Sequence, residues 1–252
     1  MSGHSKWSTI KRKKEATDAR KGQLFTKVAR ELTVAAKQGG AEIESNFRLR
    51  LAIQKARAVN MPADNIKRAI DKAVSDGAGA SNFDEIVYEG YGAGGAAMLI
   101  EALTDNRNRT VSEVRSVLAR AGGRLGESGS VAWMFDERGL LVVEPKQGQS
   151  ADDVLLAAID AGAEDVSEVE DGAVEVYTEL PLLKAVEEAL SSNGFNVTSA
   201  EKTYIPKTTV EPEEPETQSI LRLIDRLEDL DDVQGVYSNL QVGEDVAVNS
   251  SV

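Results

Sequence analysis

The sequence has 252 residues, with 29 Lys or Arg against 42 Asp or Glu, so its formal net charge is −13. Hydrophobic residues make up 41%, which is enough for a folded core and excludes a disordered chain. Cysteine is absent, which excludes disulfides, thiolate nucleophiles and Cys-ligated metal centres. No apolar run approaches the roughly 18 residues that a membrane helix needs, and the basic start has no apolar signal region. We therefore expect a cytoplasmic protein that does not contact the membrane.

The charge is distributed unevenly along the chain. Residues 1–75 carry 17 Lys or Arg against 7 Asp or Glu, a net charge of +10, and the other 177 residues carry 12 against 35, a net charge of −23. Five cations fall within nine residues near the start: Lys6, Lys11, Arg12, Lys13 and Lys14. This asymmetry predicts that the N-terminal part contacts a polyanion, the alternative being a solvated basic helix face.

The N-terminal part predicts three helices. Apolar residues recur at helical spacing between residues 15 and 38, a second helix begins at Phe47 and ends near Asn60, and Pro62 opens a third. Three such helices can cover one another as a small bundle. The Gly- and Ser-rich stretch at residues 75–82 is typical of a connector to the next domain.

After the connector, the apolar period changes to that of strands. Residues 85–91, a glycine turn and residues 96–103 predict a hairpin. A polar loop, Asp105 to Arg109, precedes a helix for which Thr110 is the expected N-cap. A strand is expected from Ser130 to Phe135, with Trp133 in the core, before a turn at residues 136–139.

The remaining elements indicate an inserted unit. Residues 140–204 follow the βαββαβ order of a ferredoxin-like fold, and an acidic linker then leads to a helix at 220–230 and a strand at 233–238. The early ββαβ segment and this last helix and strand would each be an incomplete unit alone. We therefore expect the two segments to pair in one domain. The alternative is that the last two elements dock on the inserted unit.

The predicted fold class is therefore α+β, with an N-terminal three-helix domain followed by two α/β domains. One of these is ferredoxin-like and inserted in a discontinuous middle domain. The expected bounds are 1–76 for the basic helical domain, 83–136 plus 206–240 for the middle domain, and 138–205 for the ferredoxin-like domain.

The segment from Gly90 to Gly95, GYGAGG, matches the G-x-G-x-x-G pattern of nucleotide-binding loops. A dinucleotide loop must open a helix, whereas here a strand-like apolar run follows. A kinase-type glycine loop needs a Lys on the next strands, and no Lys occurs between Lys72 and Lys146. We expect a hairpin turn that needs glycine dihedrals. The tip of this hairpin is a secondary candidate for nucleic-acid contacts, through Tyr91, Gly92, Gly94 and Gly95.

Catalytic side chains are scarce. His4 is the only histidine, so neither a Ser-His-Asp triad inside the body nor a multi-His metal site can be built. Adjacent acidic pairs such as Asp152-Asp153 and Asp231-Asp232 do not face each other on a helix and are typical of solvated helix ends. The sequence therefore predicts a protein that is not an enzyme and that holds no metal and no cofactor.

Polyanion recognition is the remaining chemistry, because the tail alternates cations with a flat ring that suits phosphate contacts and base stacking. The candidate nucleic-acid-binding residues are Lys6, Trp7, Lys11, Arg12, Lys13, Lys14, Arg20, Lys21, Lys27, Arg48 and Arg50. Further along the helical domain, Arg57, Lys67, Arg68 and Lys72 extend the basic surface. A secondary set is Arg107, Asn108 and Arg109, which can equally be a turn whose arginines pair with nearby acids.

Several rare strings in this order resemble the YebC/PmpR family, which includes the mitochondrial translational activator of cytochrome c oxidase. The strings are GHSKW at 3–7, FTK at 25–27, RLR at 48–50, NMP at 60–62, YEGYG at 88–92, TDNRNRT at 104–110, GSVAWMF at 129–135, AGAEDV at 161–166 and LIDRLEDLDDVQ at 223–234. The resemblance covers nearly the whole chain. Two positions depart from it, because the family commonly has proline where Phe47 and Ala93 stand here.

The resemblance implies three domains and a non-enzymatic role in gene expression. Members have been assigned as DNA-binding transcriptional regulators, and others as ribosome-associated factors that help translate proline tracts. We therefore expect a nucleic-acid-binding regulator whose partner is DNA, or alternatively rRNA on the ribosome. A scaffold that binds protein partners through the acidic body and an enzyme that uses the glycine loop for a nucleotide are the other hypotheses.

Overall fold

The computed structural model describes residues 21–75, 82–146, 148–169 and 172–242. The described residues form two compact units. One unit contains the described residues of the ranges 21–135 and 206–242, and the other contains those of the inserted range 136–205.

Three helices open the first unit: α1 (Lys21–Gly39), α2 (Phe47–Ala58) and α3 (Ala63–Val74). Their apolar faces pack around the fully buried Leu32 and Leu49. Asn46 fixes the corner between α1 and α2, because its side chain accepts a hydrogen bond from the Leu49 N–H while its amide donates to the carbonyl of Ala35. A single N-cap residue thus begins α2 and holds the end of α1.

The middle domain begins with a hairpin of β1 (Asp84–Tyr91) and β2 (Ala97–Thr104), which are antiparallel in full register. Next come α4 (Arg107–Arg120) and the short β3 (Arg124–Leu125), which pairs with the end of β1. The α4 helix begins earlier than the sequence predicts, so the expected loop Asp105 to Arg109 is wrong in its second half. Asn106 is the N-cap, because its side chain accepts from the Arg109 N–H, whereas Thr110 is buried inside the first turn.

The inserted unit has the order β4 (Phe135–Glu144), α5 (Ala151–Asp160), β5 (Asp165–Glu168), β6 (Val174–Glu179), α6 (Leu183–Ser192) and β7 (Asn196–Pro206). Its sheet has the strand order β5-β6-β4-β7. This is the ferredoxin-like arrangement that the sequence predicts. The expected turn at residues 136–139 is wrong, because β4 runs through it as a continuous strand.

The chain returns to the first unit as α7 (Glu214–Glu228) and β8 (Val233–Ser238). The α7 helix starts at Glu214, so part of the expected linker is helical. β8 pairs antiparallel with β2 and completes a sheet of order β3-β1-β2-β8, which α7 covers with buried Ile220, Leu223 and Ile224. The predicted pairing of the early strands with the last helix and strand is confirmed, and with it the fold class.

Candidate nucleic-acid interface

The outer face of α3 carries three exposed cations. Lys67, Arg68 and Lys72 are exposed and line a shallow groove together with Asp64 and Asp71. None of the three cations has an ion-pair partner among the described residues. The opposite face of the helix buries Ile66 and Ala73, so the amphipathic pattern of α3 itself holds the cations outward.

The polar face of α1 packs against the middle domain. Gln23 donates to the carbonyl of Asp229 at 3.2 Å, Lys27 donates to the carbonyl of Glu228, and Arg30 donates to the carbonyl of Asp231. These carbonyls belong to the last residue of α7 and to the turn after it, where the helix dipole is negative and the last backbone acceptors of the helix lack helical partners. Lys27, a candidate phosphate ligand from the sequence, is therefore engaged within the protein, and the sequence did not point to Arg30.

Two further candidates also have internal contacts. Arg48 holds the carboxylate of Glu85 with bonds of 2.8 and 3.0 Å and also donates to Gln38 at 2.6 Å. The guanidinium of Arg50 lies 5.2 Å from the ring centre of Phe47. Only the backbone of Lys21 is described, and the other candidates of this set lie outside the described residues: Lys6, Trp7, Lys11, Arg12, Lys13, Lys14 and Arg20.

The structure pairs the arginines of the secondary set with carboxylates. Arg107 donates to Asp84 at 2.7 Å, and Arg109 donates to Asp105 at 2.8 Å and to Asp232 at 2.7 Å. The hydrogen bonds to Asp232 and Asp105 raise the pKa of Arg109 further. Asn108 remains exposed on the first turn of α4.

Asp232 is the residue that organises this end of the middle domain. Its side chain is 3% exposed, forms an ion pair with Arg30 at 2.7 Å, and accepts hydrogen bonds from the hydroxyls of Thr110 at 2.6 Å and Thr104 at 3.1 Å. Burial alone would raise the pKa of Asp232, but the Thr110 hydroxyl, Arg109 and Arg30 hold it below its ordinary value. The sequence suggested a solvated acidic pair here, and no local pattern brings Thr104, Thr110 and Asp232 together.

The glycine hairpin has the backbone that the sequence predicts. Gly94 and Gly95 have φ values of +61° and +77°, which favour glycine, and strand β2 follows the turn where a dinucleotide site would need a helix. A Cβ on Gly92 would lie 2.8 Å from the Met98 side chain. The Tyr91 ring lies 4.7 Å from the Arg124 guanidinium, and its hydroxyl donates to the Ser130 carbonyl at 3.2 Å.

Trp133 corrects a prediction, because its side chain is 67% exposed and does not belong to the core. It lies in a short 3-10 turn, Ala132–Met134, where the sequence predicted a strand. The buried carboxylate of Glu89 shapes this segment by accepting backbone N–H bonds from Gly129 at 2.5 Å, Val131 at 2.6 Å and Ala132 at 2.8 Å. Burial alone would raise the pKa of Glu89, but these N–H groups keep it below its ordinary value.

No group of three or more His, Cys, Asp or Glu side chains among the described residues is arranged to hold a metal ion. Within the same residues, every helix is too short or too polar to cross a membrane.

Two family profiles cover most of this sequence. The profile of the TACO1/YebC protein N-terminal domain matches residues 5–76, and that of the TACO1/YebC second and third domain matches residues 83–240. The chain belongs to the TACO1/YebC family. The resemblance noted from the short strings is thereby confirmed.

Relatives of similar length agree with this family membership. A protein of Herpetosiphon aurantiacus is 54% identical over 98% of this chain and 97% of its own length, and one of Roseiflexus castenholzii is 55% identical over 98% of both chains. Each is named a probable transcriptional regulatory protein. The crystal structure of a conserved hypothetical protein of Aquifex aeolicus, at 43% identity, matches with a TM-score of 0.82 over 90% of this chain and 93% of that one. The TACO1/YebC relatives thus support a regulatory role.

Proposed function

We propose that the chain is a non-enzymatic nucleic-acid-binding regulator of gene expression that holds phosphates through its helical N-terminal part, with DNA as the leading target. The observation that carries this proposal is the row of exposed cations on α3, Lys67, Arg68 and Lys72, none of which is neutralised by a described partner. The regulatory names of full-length relatives support the same class of function.

The charge distribution supports an oriented complex. The first 75 residues carry a net charge of +10 and the rest −23, so a polyanion is attracted to the helical end and repelled by the remainder. Lys and Arg that neutralise phosphates release condensed counterions, which makes binding depend steeply on salt. Lys27 and Arg48 contribute less than α3 in this arrangement, because both already have partners inside the protein.

The test measures the affinity for a labelled DNA duplex by fluorescence anisotropy from about 50 to about 200 mM salt. We expect the double variant Lys67→Ala/Arg68→Ala to bind DNA more weakly. The negative slope of log K against log salt should become shallower by about 2. The matched control is Arg222→Ala/Arg226→Ala, which removes two exposed cations from α7. A flat salt profile in the parent protein, or equal losses in the two double variants, would refute the proposal.

The basic tail is tested separately. Deleting residues 1–14 removes five of the 17 cations of the N-terminal part, and we expect a further loss of affinity and of salt dependence. Unchanged affinity after this deletion would show that the tail takes no part, and α3 alone would then have to account for binding.

A ribosome-associated translation factor that binds rRNA is the second candidate. The exposed ring of Trp133 favours it, because aromatic side chains suit the unpaired bases of RNA loops better than a closed DNA duplex. Sedimentation of the endogenous protein with ribosomes, compared with its recovery on DNA, distinguishes the two. Absence from ribosomal fractions at low salt would count against this candidate, and absence from DNA would count against the first.

A further inference from the structure

A cluster of aromatic and cationic side chains lies at one edge of the middle domain. Its residues follow the three-helix domain in the sequence. Trp133 is 67% exposed, and its indole N–H donates to the Ser130 carbonyl at 3.1 Å. The same carbonyl accepts the Tyr91 hydroxyl at 3.2 Å, and the Tyr91 ring in turn lies 4.7 Å from the Arg124 guanidinium. We call these four residues the Trp133 cluster.

The backbone of the segment that carries Trp133 is fixed by the side chain of Glu89. Three backbone N–H groups within four residues, those of Gly129, Val131 and Ala132, donate to the buried carboxylate of Glu89. A buried carboxylate with three backbone donors fixes the turn, and the hydrogen bond to Ser130 fixes the ring within it. A large aromatic side chain is thus presented to solvent in one orientation, which lowers the entropy cost of binding a flat ligand.

The cations on α4 and β3 indicate the kind of ligand. Arg107 and Arg109, at the start of α4, are paired with carboxylates, but Arg115, Arg120 and Arg124 are exposed and have no carboxylate partner among the described residues. Arg120 ends α4 and Arg124 begins β3, next to Tyr91 across the strand pair. Exposed cations that have no described carboxylate partner, in an otherwise acidic domain, suit an anionic ligand.

We propose that the Trp133 cluster is a stacking site for an unpaired nucleobase of a single strand, with a neighbouring phosphate on Arg124. The inference rests on the proposed nucleic-acid binding and adds a second contact, made by the middle domain and specific for exposed bases. A closed duplex cannot offer a base face to the ring, whereas every unpaired base can, so the site discriminates by strandedness and tolerates sequence.

The experiment compares two strands of equal length, one an RNA 12-mer without secondary structure and the other an abasic ribose-phosphate strand, in about 100 mM salt. The protein carries Trp7→Phe, which leaves Trp133 as the single tryptophan of the two in the sequence. We expect the RNA to quench Trp133 fluorescence and to bind more tightly than the abasic strand. Trp133→Ala should weaken RNA binding about 5- to 150-fold and bring the two strands to similar affinity, and Trp133→Phe should keep part of the preference.

Two further variants separate this inference from the proposed function. Lys67→Ala/Arg68→Ala should weaken both strands alike and keep the preference for bases, since it removes only phosphate contacts. Leu156→Ala removes another exposed apolar side chain, 64% exposed on α5, and should change neither affinity. If the Trp133→Ala variant prefers RNA over the abasic strand as strongly as the parent protein does, the stacking-site proposal is wrong and the proposed function still stands. If the parent binds neither strand nor duplex, the proposed function fails and the stacking site with it.

Discussion

Arg30 Nη1 lies 2.7 Å from Asp232 Oδ1, an ion pair that joins the first described helix to the turn before the last strand. The same carboxylate binds Arg109 and the hydroxyls of Thr104 and Thr110, all from the β2–α4 segment. One buried acid therefore connects three stretches that are far apart in the sequence, and its negative charge is paired with two guanidinium groups.

Asp232→Asn should destabilise the protein strongly. The amide keeps the shape of the side chain but leaves Arg30 and Arg109 without their shared counter-charge, and breaking a buried pair in this way costs about 3–5 kcal/mol. Urea unfolding followed by far-UV circular dichroism measures the change. Asp105→Asn is the matched control, because Asp105 is half exposed and Arg109 is its ion-pair partner among the described residues, so its loss should cost less than about 1 kcal/mol. Similar costs for the two variants would contradict the central role of Asp232.

The stability of the first unit should fall in acid. Asp232 and Glu89 both have pKa values below those of the unfolded chain, so their stabilisation is present above an unfolded pKa of about 4 and is lost as the pH falls through the folded values. The free energy of unfolding, measured in urea from about pH 7 to about pH 3, should be level at first and then decrease. The decrease should be shallower in Asp232→Asn, and an identical profile would exclude Asp232 as a contributor.

Most of the fold could be predicted from the sequence, because it depends on patterns that are local. The helical period of α1 to α3, the glycine turn of the hairpin and the βαββαβ order each appear within a few tens of residues. The errors fall where a distant side chain decides the conformation. Trp133 was expected in a buried strand because its neighbours are apolar, but Glu89 on β1 turns the segment and leaves the ring in solvent.

The candidate site was less predictable than the fold for the same physical reason. A count of cations marks the N-terminal part correctly as basic, but it cannot tell which cations remain available. Lys27 and Arg48 bind residues of the middle domain, whereas Lys67 and Lys72 are exposed on α3. That difference depends on which face of each helix meets the sheet domain, and this contact between segments distant in sequence leaves no local pattern.

Glu89→Gln should loosen the segment that carries Trp133. A glutamine amide offers one acceptor oxygen where the carboxylate serves three N–H groups, and its NH₂ group opposes the remaining donors, so we expect a loss of about 2–3 kcal/mol in unfolding free energy. In a Trp7→Phe background, the fluorescence anisotropy of Trp133 should fall because the ring gains freedom. Glu127→Gln, an exposed carboxylate in the same stretch, is the control and should leave both quantities unchanged. Unaltered anisotropy in Glu89→Gln would mean that other contacts hold the ring.

Gly123→Ala should destabilise the protein and disturb the Trp133 cluster together. A Cβ at this position would lie 2.5 Å from the Tyr91 carbonyl oxygen, a backbone atom of β1 that cannot move aside as a flexible side chain can. The turn between α4 and β3 would have to shift, which costs about 1–3 kcal/mol and displaces Arg124 from the Tyr91 ring. Urea unfolding measures the first effect, and a smaller preference for RNA over the abasic strand measures the second.

Gly22→Ala is the control for this change, because a Cβ on Gly22 meets nothing within 4 Å and the residue lies in α1, where alanine is favoured by about 0.5–1 kcal/mol. Its expected effect therefore has the opposite sign to that of Gly123→Ala. If Gly123→Ala were as stable as the parent, β3 would not lie as close to β1 as the structure places it. If it were destabilised but kept the full preference for RNA, Arg124 would have no part in holding the strand, and Trp133 would have to act alone.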